Sequence, residues 1–359
     1  MKIRTAALAL LGLAVLASAV AYSFRVPLAM ALAQHVASDK LAADGIKDLP
    51  DGLHVGLCGA GSPFPDERRS GPCTLVIAGT HQFVFDAGSG ASRNIGKMGF
   101  NPGRIDAIFL THFHSDHIDG LGELMLQRWV GASNVAPVPV YGPSGVDAVL
   151  AGFMQAYAQD QHYRVAHHGD ATVPASGFGG TAMPFVTQVG QHTVVYQNDG
   201  VEIAAFEVDH GPVHPAVGYR ISYKGRSVVL SGDTKPSAAV AREAQGVDLL
   251  VHEALSQPLV AMLQRAAGEA GRAKLQKIFG DIMNYHSSPE EAAATASTAK
   301  VRFLLLNHIV PTLPPIPGME KAFLGGAADL FSGPIRVGTD GDFLSLPAGG
   351  TQVLVSRRF

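Results

Sequence analysis

The chain has 359 residues, 47% of them hydrophobic and 16% charged, which excludes wholesale disorder and supplies apolar side chains for a sizeable core. Its formal net charge is −3 and its sequence pI about 6.6, so no global basic charge draws it to nucleic acid. The 41 glycines suit tight turns and close backbone approaches, and the 15 histidines matter by where they sit.

At the N-terminus, Lys2 and Arg4 precede an uncharged run from Thr5 to Phe24. This reads as a secretory signal with the small residues Ala17, Ser18 and Ala19 at the cleavage site. An uncleaved anchor is the alternative, since ~20 apolar residues span a bilayer. Either reading places the rest of the chain outside the cytoplasm, periplasmic or secreted, or held at the membrane by the uncleaved segment. Residues 1–22 are assigned to this segment, 23–50 to a helical lead-in containing "VPLAMALAQHVASDK", and 51–359 to one functional domain. Cys58 and Cys73 form a disulfide in an oxidising compartment or remain two buried thiols, and sequence alone leaves that open.

From Leu53 onward, apolar runs bounded by turn residues predict strands at "LHVGLCG", "CTLVIAG", "HQFVFDAG" and "RIDAIFLTH". A helix follows in "IDGLGELMLQRWV". The segment "QDQHYRVAHHGD", 159–170, reads as a polar loop, with His162, His167 and His168 as a third metal site in the alternative. Residues 171–185 are the loosest stretch, a surface arm or lid. A second group of strands runs through "HTVVYQ", "VEIAAFEVDHG", "AVGYRISY", "RSVVLSGD", "VDLLVHEA" and "VRFLLLNH". Between the last pair lie helical stretches, "PLVAMLQRAAGEAGRAKLQKIF" and "SPEEAAATASTAK". The latter has Ser288 as N-cap, Pro289 at the first helical position and acidic residues in its first turn. Strands alternating with helices in two similar halves argue for sheets covered by helices in one large α/β unit.

The chemistry concentrates where strands end. "FLTHFHSDHIDG" carries His112, His114, Asp116 and His117 from one strand end. His112 and His114 suit one metal and Asp116 and His117 a neighbouring one, because neutral imidazole and carboxylate are ligands that zinc accepts. Further along, His210 ends "IAAFEVDHG", Asp233 ends "SVVLSGDT" and His308 ends "RFLLLNH". Any one of these alone is more often a satisfied core residue or a cap. Their succession after the histidine loop points to one metal site.

"THFHSDHIDG", "VDHGPVHPAVGYR", "SGDT", "VHEA", "HSSPEEAA" and "LNHIVP" together resemble the metallo-β-lactamase superfamily, and within it the branch of ribonuclease Z and secreted arylsulfatase-like hydrolases. The resemblance covers nearly all of residues 53–346. It implies an α/β fold, a four-layer αββα sandwich, with a dinuclear centre of two divalent ions, zinc first and manganese or iron as alternatives. It assigns His112, His114 and His210 to one ion, Asp116, His117 and His308 to the other, and Asp233 to both. His214 competes with His210 for its role. Asp86 in "FDAG" would hold the histidine loop by hydrogen bonds, or would form a plain Asx-turn. Arg68 or Arg69 would meet an anionic substrate or be solvated.

The mechanism implied is attack by a hydroxide shared between the metals on a phosphorus, sulfur or carbonyl centre, with the metals holding the developing charge. Asp116 would ligate and handle the proton of the nucleophile. His286 would supply a proton or stabilise an oxyanion, with Glu253 orienting it and His252 structural. Between Gly142 and Tyr219 the only Lys or Arg is Arg164, and phosphate contacts dominate nucleic-acid affinity. The expectation is therefore an exported hydrolase of small anionic esters, most of all sulfate esters or phosphodiesters, with no nucleic-acid partner. The alternatives are a ribonuclease Z-like phosphodiesterase on RNA, a carboxyl-ester or lactone hydrolase, and a metal-dependent binding protein without catalysis. Oligomeric state stays open, with a homodimer among the choices.

Overall fold

Strand alternation builds the layers. In the strand Cys73–Ala78, Leu75 and Ile77 enter one buried cluster while Val76 and Ala78 enter another, because successive side chains point to opposite faces. In Leu304–Val310, Leu305 joins the same central cluster as Val76, whereas Leu304 and Leu306 join a third. The central cluster lies between two sheets, and the outer clusters lie under helices. The computed structural model describes residues 2–42 and 44–359, with side chains for 10–41 and 44–359. These residues separate into two compact units, Met1–Asp44 and Gly45–Phe359.

The first unit is one helix, α1 (Lys2–Ala42), with Pro27 inside it. It runs unbroken through the expected signal segment and the lead-in. Its described side chains from Leu10 to Leu41 are exposed, and by length and apolar composition the helix can cross a membrane. Met1 and the side chains of Lys2 and Arg4, on which the signal reading partly rests, lie outside the described residues.

In the second unit the first half contributes β1 (Gly52–Gly59), β2 (Cys73–Ala78), β3 (His81–Phe85), α2 (Ala91–Lys97), β4 (Ala107–Phe109), α3 (Ser115–Ile118), α4 (Leu121–Gly131), β5 (Val138–Pro143), α5 (Val146–His168) and β6 (Gly180–Phe185). The second half adds β7 (His192–Asn198), β8 (Val201–Glu207), β9 (Val217–Tyr223), β10 (Arg226–Leu230), α6 (Ala238–Glu243), β11 (Leu249–Leu255), α7 (Gln257–Glu269), α8 (Ala273–Ile282), α9 (Pro289–Thr298) and β12 (Leu304–Val310). The chain closes with α10 (Met319–Leu324), α11 (Ala327–Leu330), β13 (Ile335–Val337), β14 (Asp342–Pro347) and β15 (Leu354–Arg357). One sheet has the order β15-β14-β1-β2-β3-β4-β5-β6 and the other β13-β12-β11-β10-β9-β8-β7. Leu121, Leu124 and Leu150 from α4 and α5 cover the first sheet, and Val240, Ala292 and Ala296 from α6 and α9 cover the second. The result is the αββα sandwich.

Three local expectations change. Residues 159–168 belong to α5 and are not a loop, so His162, His167 and His168 ride an exposed helix end and form no metal-binding group among the described residues. The arm at 171–185 ends in β6, whose Gly180–Phe185 pairs in parallel with Val138–Pro143, so backbone pairing overrides its loose composition. The long helical stretch after β11 breaks into α7 and α8 at Gly271, whose φ of +67° is a left-handed conformation that glycine adopts without steric cost. Ser288 caps α9 as expected, in a capping box with Glu291.

Cys58 and Cys73 are joined as a disulfide between β1 and β2. The Cys58→Ala/Cys73→Ala variant is expected to lose about 3 kcal/mol of unfolding free energy in denaturant titration, as loop closure predicts for a span of 15 residues. An unchanged unfolding midpoint, or two titratable thiols in the unreduced protein, would contradict the bridge.

Candidate metal centre

The centre begins at Asp86, the residue after β3, which sits at φ +57° in a left-handed turn that Asp tolerates better than most side chains. One carboxylate oxygen accepts from the Thr111 backbone N–H at 2.8 Å, and the other accepts from the Thr111 hydroxyl at 2.9 Å and from His117 Nδ1 at 2.8 Å. Asp86 therefore ties Thr111 and His117, at the two ends of the histidine loop, to the end of β3. Its neighbour Gly88 is needed for a close approach: a Cβ there would lie 2.4 Å from the Asp116 carbonyl oxygen.

Because Nδ1 of His117 is committed to Asp86, its Nε2 faces inward, and that atom is buried without a hydrogen-bond partner. His117 Nε2 lies 3.7 Å from Asp116 and 3.3 Å from Asp233. His112 Nε2 and His114 Nδ1 are 3.1 Å apart, and His210 Nε2 is 3.4 Å from the same His114 atom. His210 is held from behind, its Nδ1 donating to the Tyr285 carbonyl at 2.9 Å. His214, its competitor, has an exposed side chain facing Glu207 and takes no part.

His308 arrives by a device that the sequence does not announce. In the pairing of β11 with β12, Glu253 faces Asn307 and Ala254 faces Ile309, so His308 is the extra residue of a bulge. Its φ is +46°. The bulge swings the imidazole out of the pleat, and Nε2 comes to 3.2 Å from both Asp116 and Asp233.

The donor atoms gather into His112, His114, His210 and Asp233, then Asp116, His117 and His308, then Asp233, His286 and His308, each group within 4.8 Å. Asp233 is common to the first and third groups, as a residue bridging neighbouring ions would be. Imidazole nitrogen with carboxylate oxygen is a donor set that suits divalent metal ions. The partnerless Nε2 of His117, aimed at Asp116 and Asp233, fits such an ion as well.

Electrostatics agree. Burial pushes the His112 imidazole well below its ordinary value, and burial likewise lowers His114 and His210, so these present neutral nitrogen lone pairs. For His117 burial is outweighed by Asp233, Asp86 and Asp116, which hold it well above the usual range. Burial would raise Asp233, but His308, His117 and His112 hold it well below the usual carboxylate range. Asp116 is lowered against its own burial by His117 and His308. Two buried carboxylates thus draw positive charge into a cluster made mostly of imidazoles.

Behind the donor cluster, Glu253 on β11 accepts from Thr234 N at 3.2 Å, His286 Nδ1 at 3.2 Å and Ser287 N at 2.9 Å. It fixes His286 beside Asp233 and, outweighing burial, raises the His286 pKa above the ordinary value. His252 is buried and its ring bonds the Glu253 carbonyl, a structural role. The basic residues of the β1–β2 loop turn inward. Arg69 is buried, bonding the Gly338 carbonyl and Asp66, and Arg68 donates to the Leu313 carbonyl. Both tie the loop to carbonyls elsewhere in the chain, those of Leu313 and Gly338, and Arg69 is not available to a substrate. Phe64, Ile278, Ile282 and Tyr285, which stand beside the cluster, were missed by the sequence reading, since apolar residues in a loop and a helix look like ordinary packing.

Comparison with known proteins places this geometry. Residues 81–309 match a beta-lactamase superfamily domain. The chain is 40% identical over 290 residues to a protein of Mycolicibacterium gilvum (strain PYR-GCK) named Ribonuclease Z, covering 80% of this chain and 94% of that one. It is 39% identical over 292 residues to a Ribonuclease Z of Mycobacterium bovis (strain BCG / Pasteur 1173P2), covering 80% and 96%. The fold is similar to the crystal structure of human tRNase Z, short form, with a TM-score of 0.57, 20% identity, and 82% and 99% of the chains covered. These likenesses make the chain a metal-dependent hydrolase of ester bonds. They also overturn the expectation of a small-molecule substrate and no nucleic-acid partner, because full-length relatives of this similarity are named for ribonuclease action. The charge argument failed for a physical reason. It weighed the basic residues of one segment, and contacts made at a metal centre do not enter such a count.

Asp86→Asn keeps a residue tolerant of the left-handed turn but places an amide against His117 Nδ1. Metal affinity is expected to fall by about 10–100-fold, read by competition with a chromophoric chelator, while the far-UV spectrum stays that of the parent. Parent-like affinity would remove Asp86 from the centre.

Proposed function

The chain belongs to the metallo-β-lactamase superfamily, and from that membership we propose that it is a phosphodiesterase of ribonuclease Z type, acting on RNA with two zinc ions held by His112, His114, His210, Asp116, His117, His308 and Asp233. The observation that carries this reading is the coexistence of the complete donor set with the His286–Glu253 pair. A binding module has no use for a proton donor beside its metals. Full-length relatives named Ribonuclease Z favour phosphodiesters over the sulfate esters that the sequence alone ranked beside them.

Metal ions held there supply Lewis acidity and a nucleophile at neutral pH, by lowering the pKa of water from ~15.7 towards ~7. The remaining work falls to the side chains. Asp116, kept ionised by His117 and His308, accepts the proton that the attacking water sheds. Asp86 and Tyr285, through its carbonyl, keep His117 and His210 from rotating. His286 donates Nδ1–H to Glu253, which leaves Nε2–H as the proton delivered to the departing oxygen as its bond to phosphorus breaks. Because Glu253 raises the His286 pKa, this acid persists to higher pH than an ordinary imidazole, and its contribution disappears as pH rises through the raised value.

The helix α1 supports a membrane-anchored, exported protein. It is long, apolar and exposed over Leu10–Leu41, and the Cys58–Cys73 disulfide suits an oxidising compartment. Expressed with α1, the protein is expected in the carbonate-resistant membrane fraction, and recovery in the soluble cytoplasmic fraction would defeat this placement.

Purified protein is expected to cleave bis(p-nitrophenyl) phosphate and single-stranded RNA, with chelator or Asp233→Ala abolishing both. His286→Ala separates the roles. It is expected to lower kcat on RNA, whose alcohol leaving group needs a proton, by about 100-fold or more, and on the nitrophenyl diester, whose leaving group does not, by less than about tenfold. Equal losses on both substrates would remove His286 as the acid. Turnover of p-nitrophenyl sulfate alone would replace the phosphodiester reading.

A further inference from the structure

Among the histidines and carboxylates of the cluster opens a pocket of about 370 Å³. Its polar floor is His114, Asp116, Asp233, His286 and His308. Its apolar wall is Pro63, Phe64, Ile278, Ile282, Tyr285 and Val310. Apolar walls with a few convergent polar groups are the usual make-up of a ligand site.

The wall is built, not incidental. The Phe64 ring stacks on Phe279 of α8, with centroids 5.9 Å apart and planes 18° from parallel, so packing fixes it in place. Tyr285 is set against His210 and His286, at centroid distances of 5.1 and 4.9 Å. On α8, Leu275, Phe279 and Ile282 join a small cluster with Val260 and Val310, yet Ile278 remains 52% exposed at the pocket rim. A large aliphatic side chain left in water beside a charged centre is accounted for when a ligand covers it.

Along the same helix the rim becomes cationic. Lys274, Ile278 and Ile282 recur at intervals of four residues and so form one stripe of α8. Lys274 is exposed and forms no ion pair among the described residues, whereas Lys277 is tied to Asp281 at 2.6 Å. An unpaired ammonium stands one helical turn, ~5.4 Å, from an apolar wall. An isolated aryl ester has a ring for the wall but no further charge for Lys274. A nucleotide strand has both.

We propose that α8 and Phe64 form the subsite for the nucleoside that departs from the scissile phosphate, its base against Phe64, Ile278, Ile282 and Tyr285 and its next phosphate on Lys274. This assignment rests on the phosphodiesterase reading and adds the side on which the leaving nucleoside sits. The departing oxygen then lies next to His286, where its proton is supplied.

The metal-loaded parent, Phe64→Ala, Ile278→Ser and Lys274→Ala are compared on a short single-stranded RNA and on bis(p-nitrophenyl) phosphate. Phe64→Ala and Ile278→Ser are expected to raise KM for RNA about tenfold with kcat within about twofold. Lys274→Ala is expected to leave the nitrophenyl diester untouched and to reduce the salt dependence of log kcat/KM on RNA by about 0.7. If RNA is cleaved and no variant moves its KM, the subsite is overturned. If Phe64→Ala impairs the nitrophenyl diester alone and the salt slope of Lys274→Ala equals that of the parent, the occupant is an aryl ester and the nucleotide assignment falls. A parent that cleaves the nitrophenyl diester but no RNA overturns it equally. A parent inert on both substrates refutes the phosphodiesterase reading itself, a distinguishable failure.

Discussion

A carboxylate buried as deeply as Asp233 must be compensated by positive charge, and the rest of the site is arranged around that requirement. Its Oδ2 lies within 4.0 Å of nitrogens from His112, His117, His210, His286 and His308. Nδ1 of His112, His117 and His210 is committed to Thr111, Asp86 and the Tyr285 carbonyl in turn, which leaves Nε2 of each facing the carboxylate. The raised pKa of His117 shows the carboxylates drawing positive charge from a ring, and once the ligand imidazoles are neutral, as metal binding requires, they do not balance Asp233 and Asp116. Divalent ions do, and the same ions turn an electrostatic liability into a device for activating water.

The two-sheet architecture is what allows residues so far apart in sequence to meet. Asp86, the histidine loop and Asp233 stand just beyond the ends of strands β3, β4 and β10, and Glu253 and His308 lie in the last three residues of β11 and β12. Strand interiors give the rigid central cluster, and strand ends supply the polar groups at one rim of it. Precision then comes from local departures. The left-handed turn at Asp86 aims its carboxylate at Thr111 and His117, and the bulge at His308 re-aims an imidazole that regular pleating would have sent elsewhere.

These departures mark where the sequence stops being legible. The donors that the structure gathers were readable because metal chemistry restricts donors to a few residue types, and because each donor follows an apolar run that must be a strand. The layered sandwich was readable for a similar reason, since alternating strands and helices leave few ways to bury both faces of a sheet. The choice of His210 over His214 could be argued from its place at a strand end, and in the structure His210 is buried in the donor cluster while the His214 side chain is exposed. Other features depend on tertiary context. Residues 159–168 are polar enough for a loop yet extend α5, whose buried Val146 and Leu150 anchor its start against the first sheet. The pairing of β6 with β5 is a long-range backbone decision that composition does not encode. Arg69 looked like a substrate contact because its burial is set by Gly338, 269 residues away in the chain.

Substrate choice exposed the deeper weakness of composition. Counting basic residues between Gly142 and Tyr219 treats nucleic-acid affinity as a sum over surface phosphates. For an enzyme whose metals engage the scissile phosphate, long-range charge sets affinity and salt dependence, while the walls beside the metals decide what is held there. Those walls are Phe64, α8 and Tyr285, and each is fixed by an interaction that has another purpose: stacking on Phe279, closing a small apolar cluster, bracing His210. A pocket assembled from residues already needed for packing leaves little trace in the sequence. It becomes visible only when Ile278 is found exposed beside the donor cluster, on a helix whose other large apolar residues pack inward.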